Sequence, residues 1–361
     1  MVNVCFLSGD MSRTGGTERV LSIIANELSK KNEKFNIHIL SITNESNSSY
    51  FTLNKSIKTE RILKSKDVDF KKNYFKVVKG IRQYIKKNKI DILIDVEVIA
   101  SLFSIPATLF TKTRLIAWEH FNFYEDNGSN LRIYARKLIS RFSDYIITLT
   151  EQDKINYLNN LNIKGKIDFI YNPIENSDRI SCDIKAKQLI SVGRLTYQKG
   201  FDMLCEVAKD VLKDNPEWKW IILGDGEDKE ELESKITEYN LKGKLILKGN
   251  VSNVEDYYKN SSLYVMTSRF EGLPMTLLEA KSHKLPIVSF NCLTGPSEIV
   301  ENNVNGLLIN PENVKVMSDK LNSLLKDEKR LKEFSNNAQI NIEKFKLKPI
   351  IEKWENILIN L

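Results

Sequence analysis

The feature that most limits how this chain can fold is a steady alternation of short apolar runs with helical patterns along its whole length. Runs at Val2–Leu7, Ile37–Ile42, Ile92–Asp95, Leu115–Ala117, Tyr145–Leu149, Leu189–Val192, Trp218–Leu223, Leu245–Lys248, Leu263–Met266 and Pro286–Ser289 have the length and composition of strands. Between them apolar residues recur at helical intervals, as at Val20, Leu21, Ile24, Ala25 and Leu28. Strand and helix in alternation argue for an α/β protein with parallel sheets covered by helices. With 361 residues, 42% of them apolar, the chain exceeds a typical domain and can fill two cores. In Asn172-Pro173-Ile174-Glu175 the Asn-Pro pair is a turn signal, and it places the hinge between a first domain, 1–171, and a second, 172–340. The remainder, 341–361, carries Ile350, Ile351, Trp354, Ile357 and Leu358 on one helical stripe after Pro349.

Several function classes are disfavoured. No uncharged apolar run approaches 18 residues and the first residues form a strand, not a signal sequence, so a cytoplasmic protein is expected. Cys5, Cys182, Cys205 and Cys292 are scattered without a C-x-x-C pair, which indicates neither a zinc site nor a disulfide framework. Residues 1–172 hold 27 Lys and Arg against 18 Asp and Glu, whereas the rest hold 27 against 29. Much of the excess lies in Phe70 to Lys89, where Phe70, Tyr74, Val77, Val78, Ile81, Tyr84 and Ile85 form an apolar stripe flanked by lysines. Such a helix either lies on an anionic membrane surface or covers the core with a solvated lysine face. Arg132, Arg136, Lys137 and Arg141 continue the same sign on another helix. No nucleic-acid motif accompanies the charge, so nucleic acid is not an expected partner.

Arg269-Phe270-Glu271-Gly272-Leu273-Pro274-Met275-Thr276-Leu277-Leu278-Glu279 sets two carboxylates eight positions apart around a loop-to-helix junction. Pro274 is tolerated at a helix start, which puts Glu271 in the loop and Glu279 at least one turn inside the helix. The N–H groups of Met275, Thr276 and Leu277 would then be open to a phosphate. A second block, Ser191-Val192-Gly193-Arg194-Leu195-Thr196-Tyr197-Gln198-Lys199-Gly200-Phe201, reads as strand, turn with one Arg and one Lys, then helix. Two such cations suit a diphosphate leaving group, each charge-assisted hydrogen bond contributing roughly 1.5–3 kcal/mol. At the amino terminus a strand leads into Gly15-Gly16-Thr17-Glu18-Arg19, where glycine allows close approach of a ligand but no G-x-G-x-x-G fingerprint is present. Of the three histidines, His120 in Trp118-Glu119-His120-Phe121-Asn122 has the best context, while His38 and His283 read as structural.

Together these blocks resemble the retaining glycosyltransferases of family 4, with the E-x7-E signature formed by Glu271 and Glu279. The resemblance implies the GT-B fold, two Rossmann-like domains facing each other across a cleft, with the final helix packing back on the first domain. It implies that 1–171 binds the acceptor and 172–340 the nucleotide-sugar. The implied donor-binding residues are Gly15, Gly16, Gly193, Arg194, Lys199, Gly224, Asn250, Val251, Glu271, Gly272, Met275, Thr276, Leu277 and Glu279. Arg194 and Lys199 would clamp the diphosphate, Glu279 would accept the ribose hydroxyls, and Glu271 would lie beside the donor sugar, which His120 would face. Glu271, His120, Arg194 and Lys199 are the implied catalytic group, with no metal and no cofactor beyond a UDP-sugar donor. Asp67-Val68-Asp69 matches a metal-binding D-x-D pattern but lies in a lysine-rich polar stretch and reads as a surface coincidence.

Cys292-Leu293-Thr294-Gly295-Pro296-Ser297-Glu298 resembles a subgroup that builds bacterial surface polysaccharides such as capsule or O-antigen, which implies a UDP-hexose or UDP-N-acetylhexosamine donor and a saccharide acceptor on a polyprenyl diphosphate. His283-Lys284 departs from the family, which places a small residue and a glycine before the next strand. The alternatives are a sugar-nucleotide isomerase or epimerase of the same fold and an inactive nucleotide-sugar-binding partner; a dehydrogenase would need the absent fingerprint.

Overall fold

The computed structural model describes residues 1–45, 48–65, 69–126, 128–174 and 181–361. The chain forms two compact units, Met1–Pro173 with Leu347–Leu361, and Ile174–Lys346. The chain leaves the first unit between Pro173 and Ile174, inside the Asn-Pro turn, and returns at Leu347 rather than 341. Residues 342–345 form a short 3-10 turn that buries Ile342 and Phe345, and the Phe345 carbonyl accepts the Ile174 N–H at 2.8 Å.

In the first unit the strands β1 (Val2–Ser8), β2 (Phe35–Thr43), β3 (Lys58–Leu63), β4 (Ile92–Val96), β5 (Arg114–Trp118), β6 (Tyr145–Thr148) and β7 (Lys166–Phe169) form one sheet in the order β3-β2-β1-β4-β5-β6-β7, every pair parallel. Its helices are α1 (Gly16–Ser29), α2 (Phe70–Asn88), α3 (Ser101–Thr108), α4 (Asn130–Phe142) and α5 (Glu151–Asn160). Side chains alternate across each strand. Cys5, Leu7, Leu93, Leu115 and Ala117 meet Val77 and Ile81 of α2, Phe103 of α3, Ile139 of α4 and Tyr157 of α5. Phe6 and Trp118 point the other way, onto Trp354, with ring centroids 6.3 and 4.8 Å from its own.

The second unit repeats the plan with β8 (Gln188–Val192), β9 (Lys219–Leu223), β10 (Leu245–Leu247), β11 (Leu263–Met266), β12 (Ile287–Phe290) and β13 (Gly306–Ile309), in the order β10-β9-β8-β11-β12-β13, again all parallel. Its helices are α6 (Phe201–Asp214), α7 (Lys229–Glu238), α8 (Val254–Lys259), α9 (Met275–Ser282), α10 (Pro296–Ile299), α11 (Val314–Leu325) and α12 (Glu328–Asn337). The last helix, α13 (Leu347–Ile359), belongs to the first unit and carries Trp354, which is fully buried. Among the described residues no helix is long and apolar enough to cross a membrane.

Of the two basic helices, one takes the core-covering form already considered and the other changes its reading. The α2 stripe is spent on the core, with Val77, Ile81, Tyr84 and Ile85 buried, while Lys71, Lys72, Lys76 and Lys79 face outward beside Phe75, which is 83% exposed. Arg132 and Arg136 are not surface cations: both are buried, on Glu97 at 2.7 Å and Glu119 at 2.9 Å. Their partners follow β4 and β5, so only the folded sheet brings them within reach. Of the D-x-D pattern, Asp67 and Val68 lie outside the described residues, and Asp69 caps α2 by accepting the Lys71 and Lys72 N–H groups.

Candidate functional site

In the second unit β8 and β11 are neighbours, and the chain leaves them for opposite sides of the sheet, to β9 and to β12. The carboxyl ends of strands at such a switch point are where open α/β sheets bind ligands. Gly193 and Gly224 end β8 and β9. Gly224 has φ 131°, and a Cβ there would overlap the Gly193 carbonyl, so this approach admits only glycine. A Cβ on Gly193 would press on the Lys199 stem at 3.3 Å. The Gly224 N–H donates to the Gly249 carbonyl at 2.9 Å, which brings the exposed Asn250 and half-buried Val251 to the same edge.

Lys199 Nζ lies 2.6 Å from Glu271 Oε1, with 19% and 7% of the two side chains exposed. Arg269 clasps the two loops that carry this pair. Its guanidinium donates to Asp202 through two bonds of 2.9 and 2.6 Å, lies 4.0 Å over the Tyr197 ring and donates to the Tyr197 carbonyl at 2.8 Å. Gln198 Nε2 adds a bond to the Phe270 carbonyl at 3.1 Å, and Thr294 Oγ1 donates to the Glu271 carbonyl at 2.7 Å. Arg194, by contrast, is exposed and has no ion-pair partner among the described residues.

The helix after Pro274 starts at Met275 as its sequence implies, with no side-chain cap. Its open donors number one fewer than expected, because the Leu277 N–H turns back to the Pro274 carbonyl at 3.1 Å, leaving those of Met275 and Thr276. The Thr276 hydroxyl is tied to Tyr264, whose own hydroxyl donates to the Val192 carbonyl at 3.2 Å, linking α9 to the ends of β8 and β11. Gly272 is half-buried in the loop between Glu271 and the helix. Glu279 sits just over one turn into α9, half-buried, and the Tyr258 hydroxyl donates to its Oε2 at 2.7 Å. His283 is structural: it is buried, its Nδ1 lies 2.9 Å from the Glu279 carbonyl, and its ring packs on Tyr258 at 5.0 Å.

The structure therefore collects Gly193, Arg194, Lys199, Gly224, Glu271, Gly272, Met275, Thr276, Leu277 and Glu279 around one sheet edge. His120, Gly15 and Gly16 belong to the first unit. His120 follows β5, 8% exposed, its ring 4.3 Å from that of Trp118 and its Nε2 without a hydrogen-bond partner among the described residues. Burial pushes its pKa down to about 3, so it is neutral at physiological pH. Gly15 caps α1 without a side-chain bond and Gly16 opens that helix, while Asp10 shapes the preceding loop by accepting the Ser12 N–H and hydroxyl. Arg269, which adjoins the glutamate motif, and Thr294, within the Cys292–Glu298 segment, carry no role on sequence grounds, and no local pattern marks Asp202 or Tyr258.

Residues 14–178 match the model of Glycosyltransferase Family 4 and residues 175–340 that of Glycosyl transferases group 1. The chain belongs to glycosyltransferase family 4. Among relatives that span nearly all of the chain, the amylovoran biosynthesis glycosyltransferase AmsD of Erwinia amylovora is 31% identical, covering 99% of this chain and all of AmsD. An α-1,4-N-acetyl-D-galactosaminyltransferase of Campylobacter jejuni, whose name gives an acceptor on PP-undecaprenol, is 27% identical over 99% of this chain and 98% of its own. TarM of S. aureus, solved with UDP, α-GlcNAc-glycerol and fondaparinux, superposes with a TM-score of 0.82 at 18% identity, covering 99% of this chain and 100% of that one. The two-unit parallel-sheet architecture is thus the GT-B fold of this family, of which AmsD is named for amylovoran biosynthesis.

Proposed function

We propose that this glycosyltransferase moves a hexose or N-acetylhexosamine from a UDP-sugar to a hydroxyl of a polyprenyl-diphosphate-linked saccharide, with retention of configuration and without a metal or other cofactor. The carrying observation is the placement of Arg194, the Lys199–Glu271 pair and the α9 N-terminus at one switch point, a setting for a diphosphate. TarM, solved with UDP, and the Campylobacter relative, named for its PP-undecaprenol acceptor, support the donor and acceptor classes.

In this reading Arg194, Lys199 and the Met275 and Thr276 amides take the charge that grows on the leaving diphosphate, the kind of preorganised stabilisation that contributes most to such catalysis. Gly193 and Gly224 let the backbone approach it, and Asn250 and Val251 line the base. Glu279 offers two acceptors to the ribose diol. Glu271 accepts from the donor sugar hydroxyls while Lys199 holds it, leaving no obvious enzymic nucleophile. The acceptor hydroxyl then attacks on the face the nucleotide leaves, its proton passing to the departing phosphate. A neutral His120 serves as a hydrogen-bonding group rather than an acid, and Gly15 and Gly16 give the acceptor unit its close-approach loop.

The test is the anomeric proton signal of the product made with EDTA present. Retention at an undiminished rate supports the reading; inversion, or loss of turnover with EDTA, contradicts it. We further propose work on the cytoplasmic side at the membrane surface, supported by the outward lysines of α2 and exposed Phe75. Flotation with anionic but not neutral vesicles, reduced by Phe75→Ser, is expected; equal flotation with both contradicts it.

A further inference from the structure

The first unit has a switch point of its own. β1 and β4 are neighbours from which the chain departs to opposite sides, to β2 and to β5. The residue that follows β4 at this edge is Glu97, and its φ is 84°. A side chain held there strains the backbone, and such strain clusters at functional sites. The conformation is held on both flanks: the Glu97 N–H donates to the Trp118 carbonyl at 2.9 Å, and its own carbonyl accepts the Ala100 N–H at 3.1 Å.

The carboxylate is only half committed. Oε1 accepts from Arg132 Nη1 at 2.7 Å, whereas Oε2 has no hydrogen-bond partner among the described residues. The Glu97 side chain keeps 20% of its exposure against 7% for Arg132, so the open oxygen belongs to the more accessible partner. The Arg132 guanidinium is itself fixed 3.9 Å over the Phe121 ring, one residue from His120. An ion pair at this depth contributes little net stability, so the pair alone does not account for a strained backbone that glycine would adopt freely. Burial, opposed by Arg132 and aided by Glu119, raises the Glu97 pKa to about 7, the kind of perturbation that gathers where ligands bind.

We propose that Glu97, positioned by Arg132, is a saccharide-binding residue of the first unit, its free oxygen accepting hydrogen bonds from hydroxyls of the acceptor sugar. The assignment rests on the acceptor role proposed for this unit. It makes Glu97 a determinant of which acceptor is used, since a site built to accept an O–H discriminates against a sugar lacking it.

The test uses the full chain, wild type and Glu97→Gln, with saturating UDP. Methyl α-N-acetyl-D-galactosaminide, methyl α-D-galactoside and methyl α-D-glucoside serve as probes in saturation-transfer NMR. Gln keeps an oxygen for Arg132 but loses the charge, so binding of the preferred glycoside should weaken about tenfold or more while UDP affinity holds. Glu97→Asp, which keeps the charge but withdraws it by one methylene, should show the same loss and decides the matter if the Gln variant melts. Equal glycoside binding by wild type and the folded variant, or none by wild type, overturns the proposal. UDP affinity in the same samples separates the claims: its absence contradicts the donor site of the second unit and leaves the glycoside comparison standing.

Discussion

The Tyr258 hydroxyl donates to Glu279 Oε2 over 2.7 Å from a ring only 1% exposed, so a core residue of the second unit sets the orientation of a carboxylate at its edge. A diol needs both carboxylate oxygens turned toward it. Tyr258→Phe keeps the packing and removes the donor. UDP affinity should fall about tenfold, the lower range for a hydrogen bond to a charged group. Calorimetry with UDP and 2′-deoxy-UDP checks the cause, because the variant should lose discrimination between them; a purely structural tyrosine would weaken both equally.

Arg194 and Lys199 should separate in a comparison of rate with stability. Arg194 is exposed and unpaired among the described residues, so Arg194→Ala should lower kcat about 100- to 1000-fold with an unchanged melting temperature. Lys199 is the ion-pair partner of nearly buried Glu271, so Lys199→Ala should lower kcat and also cost about 1–3 kcal/mol of stability. Steady-state kinetics beside thermal melts reads both.

Asp95 of β4 is fully buried, with Oδ2 accepting from Ser104 and Oδ1 without a hydrogen-bond partner among the described residues, and burial raises its pKa to about 8. The folded state then holds a proton that the unfolded chain releases above its ordinary value near 3.8. Stability from this group is full below that value and is lost as pH rises toward about 8. Asp95→Asn should flatten this slope and stabilise the protein at pH 8, by on the order of 1–3 kcal/mol. Urea melts across that range test it.

The His283-Lys284 turn after α9 adopts the conformation that glycine usually supplies: Lys284 has φ 58°, with the Leu285 N–H donating to the Ala280 carbonyl at 3.0 Å. Lys284→Gly should therefore stabilise the second unit by about 0.5–1 kcal/mol in a urea melt, with no change in activity.

Central strands were legible in the sequence because both of their faces are buried, and β1, β8 and β11 read as nearly continuous apolar runs. The edge strands β3, β7 and β13 were not. In β3 Lys58, Thr59 and Glu60 are exposed, β7 offers only Ile167 and Phe169 among four residues, and β13 has just three apolar residues after its glycine. The glutamate and Arg-Lys motifs were legible since each lies on a single loop. What closes them together was not, because Arg269 meets Asp202, and Tyr258 meets Glu279, only once separate strands are side by side. The same holds for Arg132 and Arg136, whose carboxylate partners sit 35 and 17 residues away and turn apparent surface charge into buried pairs. The strain at Glu97 leaves no trace in composition or periodicity.

The most direct test of the donor site is UDP release from a panel of UDP-sugars, with and without a polyprenyl-diphosphate-linked saccharide, by wild type, Lys199→Ala and Glu279→Ala. Acceptor-dependent release from one donor, lost in both variants, is the predicted result. Acceptor-independent turnover that the variants retain in full would contradict the account.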